Sequence, residues 1–155
     1  MLLKAEALTQ LISNNETFTE QDEQYYNQAF SLVNAVNKRS LCQPTSQLKD
    51  SLAISAFNTK EKIETLVMKE RQRELMFEGK RWYDLVRRSM RDGNTNYLST
   101  QVLQKYTSNT SAIQNKFRKM DAIFWPYNVD ELKVNKNLRQ NPAFGSGENS
   151  SYTKN

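Results

Sequence analysis

The chain has 155 residues and carries 22 Lys and Arg against 17 Asp and Glu, which gives a net charge of +5. The absence of His excludes the usual zinc clusters, and the single cysteine, Cys42, cannot form a disulfide within the chain. No run approaches the roughly 18–20 apolar residues that cross a bilayer, and residues 1–8 are not a signal peptide because Lys4 and Glu6 interrupt the apolar core.

Residues 1–41 are predicted to form a tetratricopeptide-like pair of helices. Over residues 1–13, apolar side chains recur at spacings of three and four, which indicates a first amphipathic helix. Thr19 precedes Asp22 by three residues, an N-cap arrangement that begins the second helix. The predicted apolar face of the first helix comprises Leu3, Ala7 and Leu11, with Leu8 and Ile12 beside them. That of the second helix comprises Tyr26, Ala29, Phe30, Val33 and Val36.

Residues 58–92 are predicted to hold two further helices. Asn58 precedes Glu61 by three residues, a capping-box spacing that begins the first of them. Gly79 interrupts the helical run and ends or bends it, and residues 92–94 stop the second helix. The predicted face of the first comprises Ile63, Leu66, Val67, Glu70, Glu74 and Phe77. The second places Trp82, Leu85 and Val86 on one side.

The other segments are predicted to be irregular. Residues 41–50 form a connector, and residues 94–120 are rich in Asn, Ser, Thr and Gln and receive no assignment. Residues 122–127 are bulky and contain a proline, which favours an extended segment packed on the body of the protein. Residues 129–134 fit one helical turn, and the chain from residue 137 onward fits a tail.

Three carboxylates, Glu70, Glu74 and Glu78, are spaced four residues apart, so a continuous helix would align them along one face. A metal ladder, a general acid/base pair and a buried ion network are all open readings. Helical carboxylate metal sites usually add His, and a catalytic pair needs a second partner on a facing element. Neither signal is present, which favours a structural ion network. Its candidate cationic members are Arg71, Arg81 and Arg87.

Other chemistry finds little support in the sequence. Between residues 69 and 91, eight basic residues are interleaved with four acidic ones, which argues against nucleic-acid binding. Trp82 and Trp125 admit ligand stacking, but their apolar neighbours favour core packing for both. Cys42 fits a small, partly buried hydrophobe at a helix end. No phosphate loop and no nucleophile with its base is recognisable, so neither an enzyme nor a cofactor or metal site is expected.

Three later segments resemble the SusD/RagB-like family of outer-membrane proteins, and residues 2–8 and 32–39 resemble its last tetratricopeptide-like helix pair. The longest resembles the family's Glu-Arg-x-x-Glu-Leu-x-Phe-Glu-Gly and Arg-Trp-x-Asp-Leu elements, and residues 124–132 and 135–144 resemble its Trp-Pro-Ile-Pro and Asn-Pro-Gly elements. Asn128, Lys136 and Ala143 depart from family Pro, Pro and Gly residues, which bears on local turn geometry. The residues that carry the longest match are Glu70, Arg71, Glu74, Leu75, Phe77, Glu78, Gly79, Arg81, Trp82, Asp84 and Leu85.

The resemblance implies an all-α, mostly helical fold in one unit, residues 1–155. This unit would consist of the last tetratricopeptide-like helix pair (1–41), signature helices (58–92) and an irregular C-terminal region (93–155). It also implies a surface-exposed outer-membrane lipoprotein that captures oligosaccharides or other nutrients beside a SusC-like TonB-dependent transporter barrel. Since family members are longer, the chain is expected to be a C-terminal portion, with the lipid anchor outside it. The protein would attach to the membrane only through that lipid anchor. Nucleic acid is not expected as a partner.

Ligand binding is predicted to rest on exposed aromatics among amide and hydroxyl side chains, which occur mainly in residues 94–109. Tyr97 and Tyr106 are the candidates. The alternative function is a helical protein-interaction scaffold without a small-molecule ligand. A third class, a carboxylate hydrolase that uses one of the three aligned glutamates, predicts lost turnover rather than lost stability after Glu→Gln changes.

Overall fold

The structure, a computed structural model, describes residues 1–15, 17–40 and 52–145, so Cys42 and the predicted connector lie outside the described residues. The described residues contain seven α-helices, two short 3-10 helices and no strand, which confirms the predicted all-α class. The α-helices are α1 (Leu2–Leu11), α2 (Glu20–Ser40), α3 (Lys60–Glu74), α4 (Arg81–Asp92), α5 (Asn96–Leu103), α6 (Thr110–Phe117) and α7 (Val129–Val134). The 3-10 helices are Ile54–Phe57 and Met120–Ile123.

The chain divides into two compact units, Met1–Arg81 and Trp82–Asn155. The boundary falls within the region predicted to hold the signature helices, at the first residue of α4. The arrangement of residues 1–155 as one unit stays a prediction.

The first unit is a cluster of three helices, in which α1 packs on α2 and α3 packs on both. The predicted apolar face of α2 is buried and forms the centre of this core. Lys60, at the start of α3, donates from Nζ to the Ile12 carbonyl at 2.5 Å and to the Asn14 side chain at 2.9 Å. This lysine satisfies a carbonyl at the C-terminal end of α1, where helical partners run out. The core comprises Leu2, Ala5, Leu8, Ile12, Tyr26, Ala29, Phe30, Val33, Val36, Ile63, Leu66 and Val67.

A reciprocal cap begins α2, as the spacing of Thr19 and Asp22 predicts. The Asp22 amide donates to Thr19 Oγ1 at 3.1 Å, while the Thr19 amide donates to Asp22 Oδ2 at 2.9 Å. The Thr19 hydroxyl and both the amide and the hydroxyl of Ser13 also donate to this carboxylate, at 2.7 to 2.8 Å. The Ser13 and Thr19 donors hold the pKa of Asp22 well below its usual range. The Asp22 carboxylate therefore fixes the loop between α1 and α2 as well as the N-terminal end of α2.

The apolar face predicted for α1 is partly wrong. Leu8 and Ile12 are buried, but Leu3 and Leu11 are 62% and 59% exposed, and Ala7 is exposed as well. The buried positions are instead Leu2, Ala5, Glu6, Leu8 and Thr9. Two adjacent stripes of α1 are apolar, so spacing alone does not select the face that packs on α2 and α3.

Both ends of α3 differ from the prediction. Thr59 rather than Asn58 is the N-cap, and its hydroxyl accepts from the Lys62 amide at 3.3 Å. The helix ends at Glu74, before Gly79, and the Phe77 backbone beyond it adopts a φ of +71°. Phe77 is 96% exposed, so its predicted place on the buried face is wrong. Gly79 has a φ of +69°, which glycine adopts without the strain that a positive φ imposes on Phe77.

The second unit is built on α4, α5, α6 and the 3-10 helix at residues 120–123. Residues 94–120, which receive no assignment from the sequence, thus form two short helices that pack on each other. Thr95, before α5, donates its hydroxyl hydrogen to the carbonyl of Phe117, the last residue of α6. α4 stops at Asp92 as predicted, and Gly93 follows with a φ of +65°. Leu85, Leu98 and Ile123 form the centre of this core, flanked by Trp82, Val86, Tyr97, Val102, Phe117 and Met120.

The proline-containing segment after this core departs from the sequence prediction. Ala122 and Ile123 are buried, but they belong to the 3-10 helix rather than to an extended stretch. The residues that follow are exposed, and Trp125, predicted to pack in the core, is 83% exposed. The predicted turn at residues 129–134 is confirmed as α7, and the Asn128 side chain caps it by accepting from the Asp130 amide at 3.0 Å.

Candidate functional site

Glu70, on α3, is fully buried, with an exposed fraction of 0%. Arg73 donates to Glu70 Oε2 from Nε at 3.0 Å and from Nη2, and the Asn37 side-chain amide on α2 donates to the same oxygen at 3.4 Å. A carboxylate so enclosed needs these charged and polar donors, since an unpaired buried charge is costly. Glu70 thus joins α3 to α2.

Two further ion pairs extend this network. Arg71 is 6% exposed, and its Nε lies 3.7 Å from Glu6 Oε2 on α1, itself on a buried residue. Glu74 accepts from Arg39 Nη2, on α2, at 2.5 Å. Glu78 lies beyond the end of α3 and pairs with Lys80 at 2.6 Å, so the predicted alignment of three carboxylates on one helix does not occur. Ion pairing of these carboxylates is present, but with partners other than those predicted.

The other two predicted cations have different contacts. Arg81 donates from Nη1 to the Met68 carbonyl at 3.3 Å, and Arg87 pairs with the buried Asp84 at 3.1 Å. Within residues 1–15, 17–40 and 52–145, no three acidic, Cys or His side chains converge on a point that a metal ion could occupy. Around α3, the Glu70 and Glu74 side chains and Arg71 bond or pair with groups on α1, α2 and α3, an arrangement that can brace these helices.

Tyr97 is half-buried rather than exposed as the sequence predicts. Its ring packs on the core of the second unit, and the Arg88 guanidinium lies 3.8 Å from the ring centroid. One face of the ring is thus covered by a cation, in a contact that stabilises the fold. Tyr106, after α5, is 50% exposed and leaves much of its ring accessible. The ligand-binding role of both tyrosines stays a prediction.

A set of exposed aromatics that sequence reasoning assigned to packing lies in the segment between residue 123 and α7. Phe124, Trp125 and Tyr127, which we call the aromatic ledge, are 53%, 83% and 51% exposed. The backbone is extended at Phe124 and at Asn128, and Pro126 restricts the residues between them. The Cα atoms of Trp125 and Tyr127 are therefore no more than about 7 Å apart.

Two amide side chains hold the backbone of the ledge in place. Gln140 accepts from the Tyr127 amide and donates to the Tyr127 carbonyl, both at 3.0 Å. Asn141 donates to the carbonyls of Asp121 at 2.7 Å and Phe124 at 3.1 Å. The ends of the segment are thus fixed by the strand-like pairing that an amide side chain can supply. In the sequence, the fixed and exposed conformation of this segment is indicated only by the proline beside Trp125 and by the Gln-Asn pair at residues 140–141.

Together, these features define an all-α protein with an internally ion-paired helical unit and a second unit that displays fixed aromatic side chains. The model of the SusD family matches residues 1–144, and the chain belongs to this family. Searches of curated proteins and of solved structures gave no match. The family is one of binding proteins, and membership indicates a nutrient- or glycan-binding protein of the outer membrane. None of the helices in the described residues is long and apolar enough to cross a membrane.

Proposed function

We propose that this protein captures oligosaccharides at the surface of the outer membrane and passes them to a TonB-dependent transporter of the SusC type. A lipid anchor would hold the protein at the membrane. The match of the SusD family over residues 1–144 carries the proposal. The exposed aromatics of the second unit support it, because flat aromatic faces can hold sugar rings without any catalytic group.

Fractionation and surface labelling of the native cells test the location and the partner. We expect the protein in the outer-membrane fraction, labelled by an amine reagent that does not enter cells, and co-purified with a TonB-dependent transporter after mild cross-linking. A periplasmic marker protein is the control for membrane integrity. Recovery in a soluble fraction, without labelling and without a transporter, would contradict the proposal and favour the protein-interaction scaffold.

Native gels that contain a soluble polysaccharide test the ligand class. Starch, xylan, levan and galactomannan are each cast into the gel, and binding retards the protein relative to a gel without polysaccharide. We expect retardation by at least one of the four. The double variant Tyr97→Ala and Tyr106→Ala tests the tyrosine prediction, since its retardation should fall if these rings contact the sugar. Unchanged retardation of a correctly folded double variant would remove the two tyrosines from the site.

A further inference from the structure

The positive charge of the chain is concentrated in the second unit. Residues 1–81 contain 11 basic and 11 acidic residues, whereas residues 82–155 contain 11 basic and six acidic ones. Helix α4 neutralises much of its own charge, because Asp84 pairs with Arg87 and Asp92 pairs with Arg88. Residues 93–145 contain seven basic and three acidic residues, so an excess of +4 lies after α4.

Five of the cations after α4 are exposed, and we call them the basic surface. They are Lys116, Arg118, Lys119, Lys136 and Arg139. Within residues 1–15, 17–40 and 52–145, none of the five forms an ion pair with a carboxylate. Of the acids in this region, Asp130 is already paired with Lys133 at 2.9 Å. The basic surface is therefore not neutralised by the described part of the unit, and its charge is available to a partner.

Contacts between two stretches of the chain bring the members of the basic surface together. Lys116, on α6, places Nζ 3.9 Å from the centroid of the Phe144 ring. Asn141 donates to the Asp121 carbonyl at 2.7 Å, just after the end of α6. Arg139 lies two positions before Asn141, so the stretch that carries it returns to the end of α6. The cations of both stretches therefore share one region of the second unit.

We propose that the basic surface binds an acidic polysaccharide, whose sugars carry carboxylate or sulfate groups. This inference rests on the proposed function and narrows its ligand class. Anionic groups repeated along a polymer match cations distributed over a surface, and each contact can form a charge-assisted hydrogen bond. The sugar hydroxyl groups between these contacts remain bonded to water.

The acids near the basic surface favour a single polysaccharide chain over a membrane or a nucleic acid. Asp121 and Glu131 are exposed, and the side chain of Asp130 is 80% exposed. A membrane rich in anionic headgroups would bring like charges against these carboxylates, which is unfavourable. A nucleic acid presents a dense line of phosphates and favours a basic face without acids. A chain with more widely spaced charges can contact the cations and leave the carboxylates in water.

Matched pairs of polymers test the role of ligand charge. Isothermal titration calorimetry of the full chain compares polygalacturonate with its methyl ester, and dextran sulfate with dextran. The first pair isolates the carboxylate and the second the sulfate. We expect at least one charged polymer to bind about tenfold or more tightly than its neutral partner. Raising NaCl from about 50 to about 500 mM should remove most of this difference, because salt screens exposed charges.

A triple variant tests where the charged polymer binds. The variant carries Arg118→Gln, Lys119→Gln and Arg139→Gln. It should bind the charged polymer about 3- to 100-fold more weakly, as expected for the loss of three exposed pairs. The matched control loses the same charge from exposed positions of the first unit, through Lys4→Gln, Lys38→Gln and Lys69→Gln. Its affinity should equal that of the wild type, and circular dichroism confirms that both variants keep the fold.

Equal losses of affinity in the two triple variants would show that net charge alone attracts the polymer, and would overturn the basic surface as the site. Tighter binding of single-stranded DNA, or of phosphatidylglycerol vesicles, than of either acidic polymer would assign the surface to another anionic partner and overturn the inference.

The neutral polysaccharides separate this inference from the proposed function. If starch, xylan, levan or galactomannan binds and neither charged polymer is preferred over its neutral partner, the inference is wrong and the proposed function stands. If no polysaccharide binds, charged or neutral, both are wrong.

Discussion

Arg71→Met removes a guanidinium whose Nε lies 3.7 Å from the Glu6 carboxylate and keeps an apolar side chain of similar length. The Arg71 and Glu6 side chains are only 8% and 6% exposed, so water cannot replace the lost cation. Breaking a buried pair from one side costs about 3–5 kcal/mol, whereas exposed pairs are worth at most about 1 kcal/mol. We therefore expect the free energy of unfolding of the first unit to fall by about 3–5 kcal/mol.

Urea unfolding followed by circular dichroism at 222 nm measures this change, provided that the slope of the unfolding free energy against urea concentration is the same in wild type and variant. Lys80→Met is the control, because it breaks an ion pair in the same unit whose side chains are 56% and 47% exposed. It should cost less than about 1 kcal/mol. The double variant Glu6→Leu and Arg71→Met should recover most of the loss, since it removes both buried charges.

The buried position of this pair would be refuted by a simple result. If Arg71→Met and Lys80→Met lower the free energy of unfolding equally, by less than about 1 kcal/mol, solvent reaches the Arg71 guanidinium. The pairs around α3 would then be ordinary surface contacts, and the family-defining string in this chain would need another role.

Three further predictions concern local structure. The pKa of Asp22 is lowered in the folded state, so the unfolded chain binds the proton more readily. The ionised Asp22 therefore stabilises the fold above about pH 4, and this contribution is lost at lower pH. In Asp22→Asn, the urea midpoint of unfolding should fall less steeply between pH 7 and pH 2 than it does in the wild type. Thr59→Ala should cost about 1 kcal/mol in urea unfolding, and Asn58→Ala less than half of that. Phe77→Gly should stabilise the protein by about 1 kcal/mol in the same assay, because Phe77 is exposed and its φ is +71°; a loss of stability would show that the ring packs.

The features that the sequence predicted correctly are those that a few adjacent residues determine. The cap formed by Thr19 and Asp22 needs only a spacing of three, and the face of α2 has a single apolar stripe. The end of α4 at Asp92 coincides with a glycine that adopts positive φ. In each case, one local arrangement is clearly lower in free energy than its neighbours, so tertiary contacts do not change it.

The wrong predictions concern choices that tertiary packing makes. The first helix has apolar residues on two stripes, and contact with α2 and α3 selects the one that contains Leu2 and Ala5. The helical spacing around residue 77 predicts a buried phenylalanine, yet α3 ends three residues earlier. The backbone of Tyr127 and Phe124, on either side of Trp125 and Pro126, is bonded to Gln140 and Asn141, which lie 13 and 17 positions further along the chain from the residues they bond. No window of local sequence contains both the segment and its clamp.

The longest family string and the aromatic ledge differ in how their side chains are exposed. The longest family string places Glu70 and Arg71 inside a helical cluster, where Glu70 accepts from Arg73 of the same helix and from Asn37 on α2, and Arg71 pairs with Glu6 on α1. A group committed to such contacts cannot turn to a sugar without leaving a buried charge behind. The aromatic ledge has the opposite arrangement, since its backbone is bonded and its rings face solvent. Changes in the string should therefore alter stability, and changes in the ledge should alter affinity at constant stability.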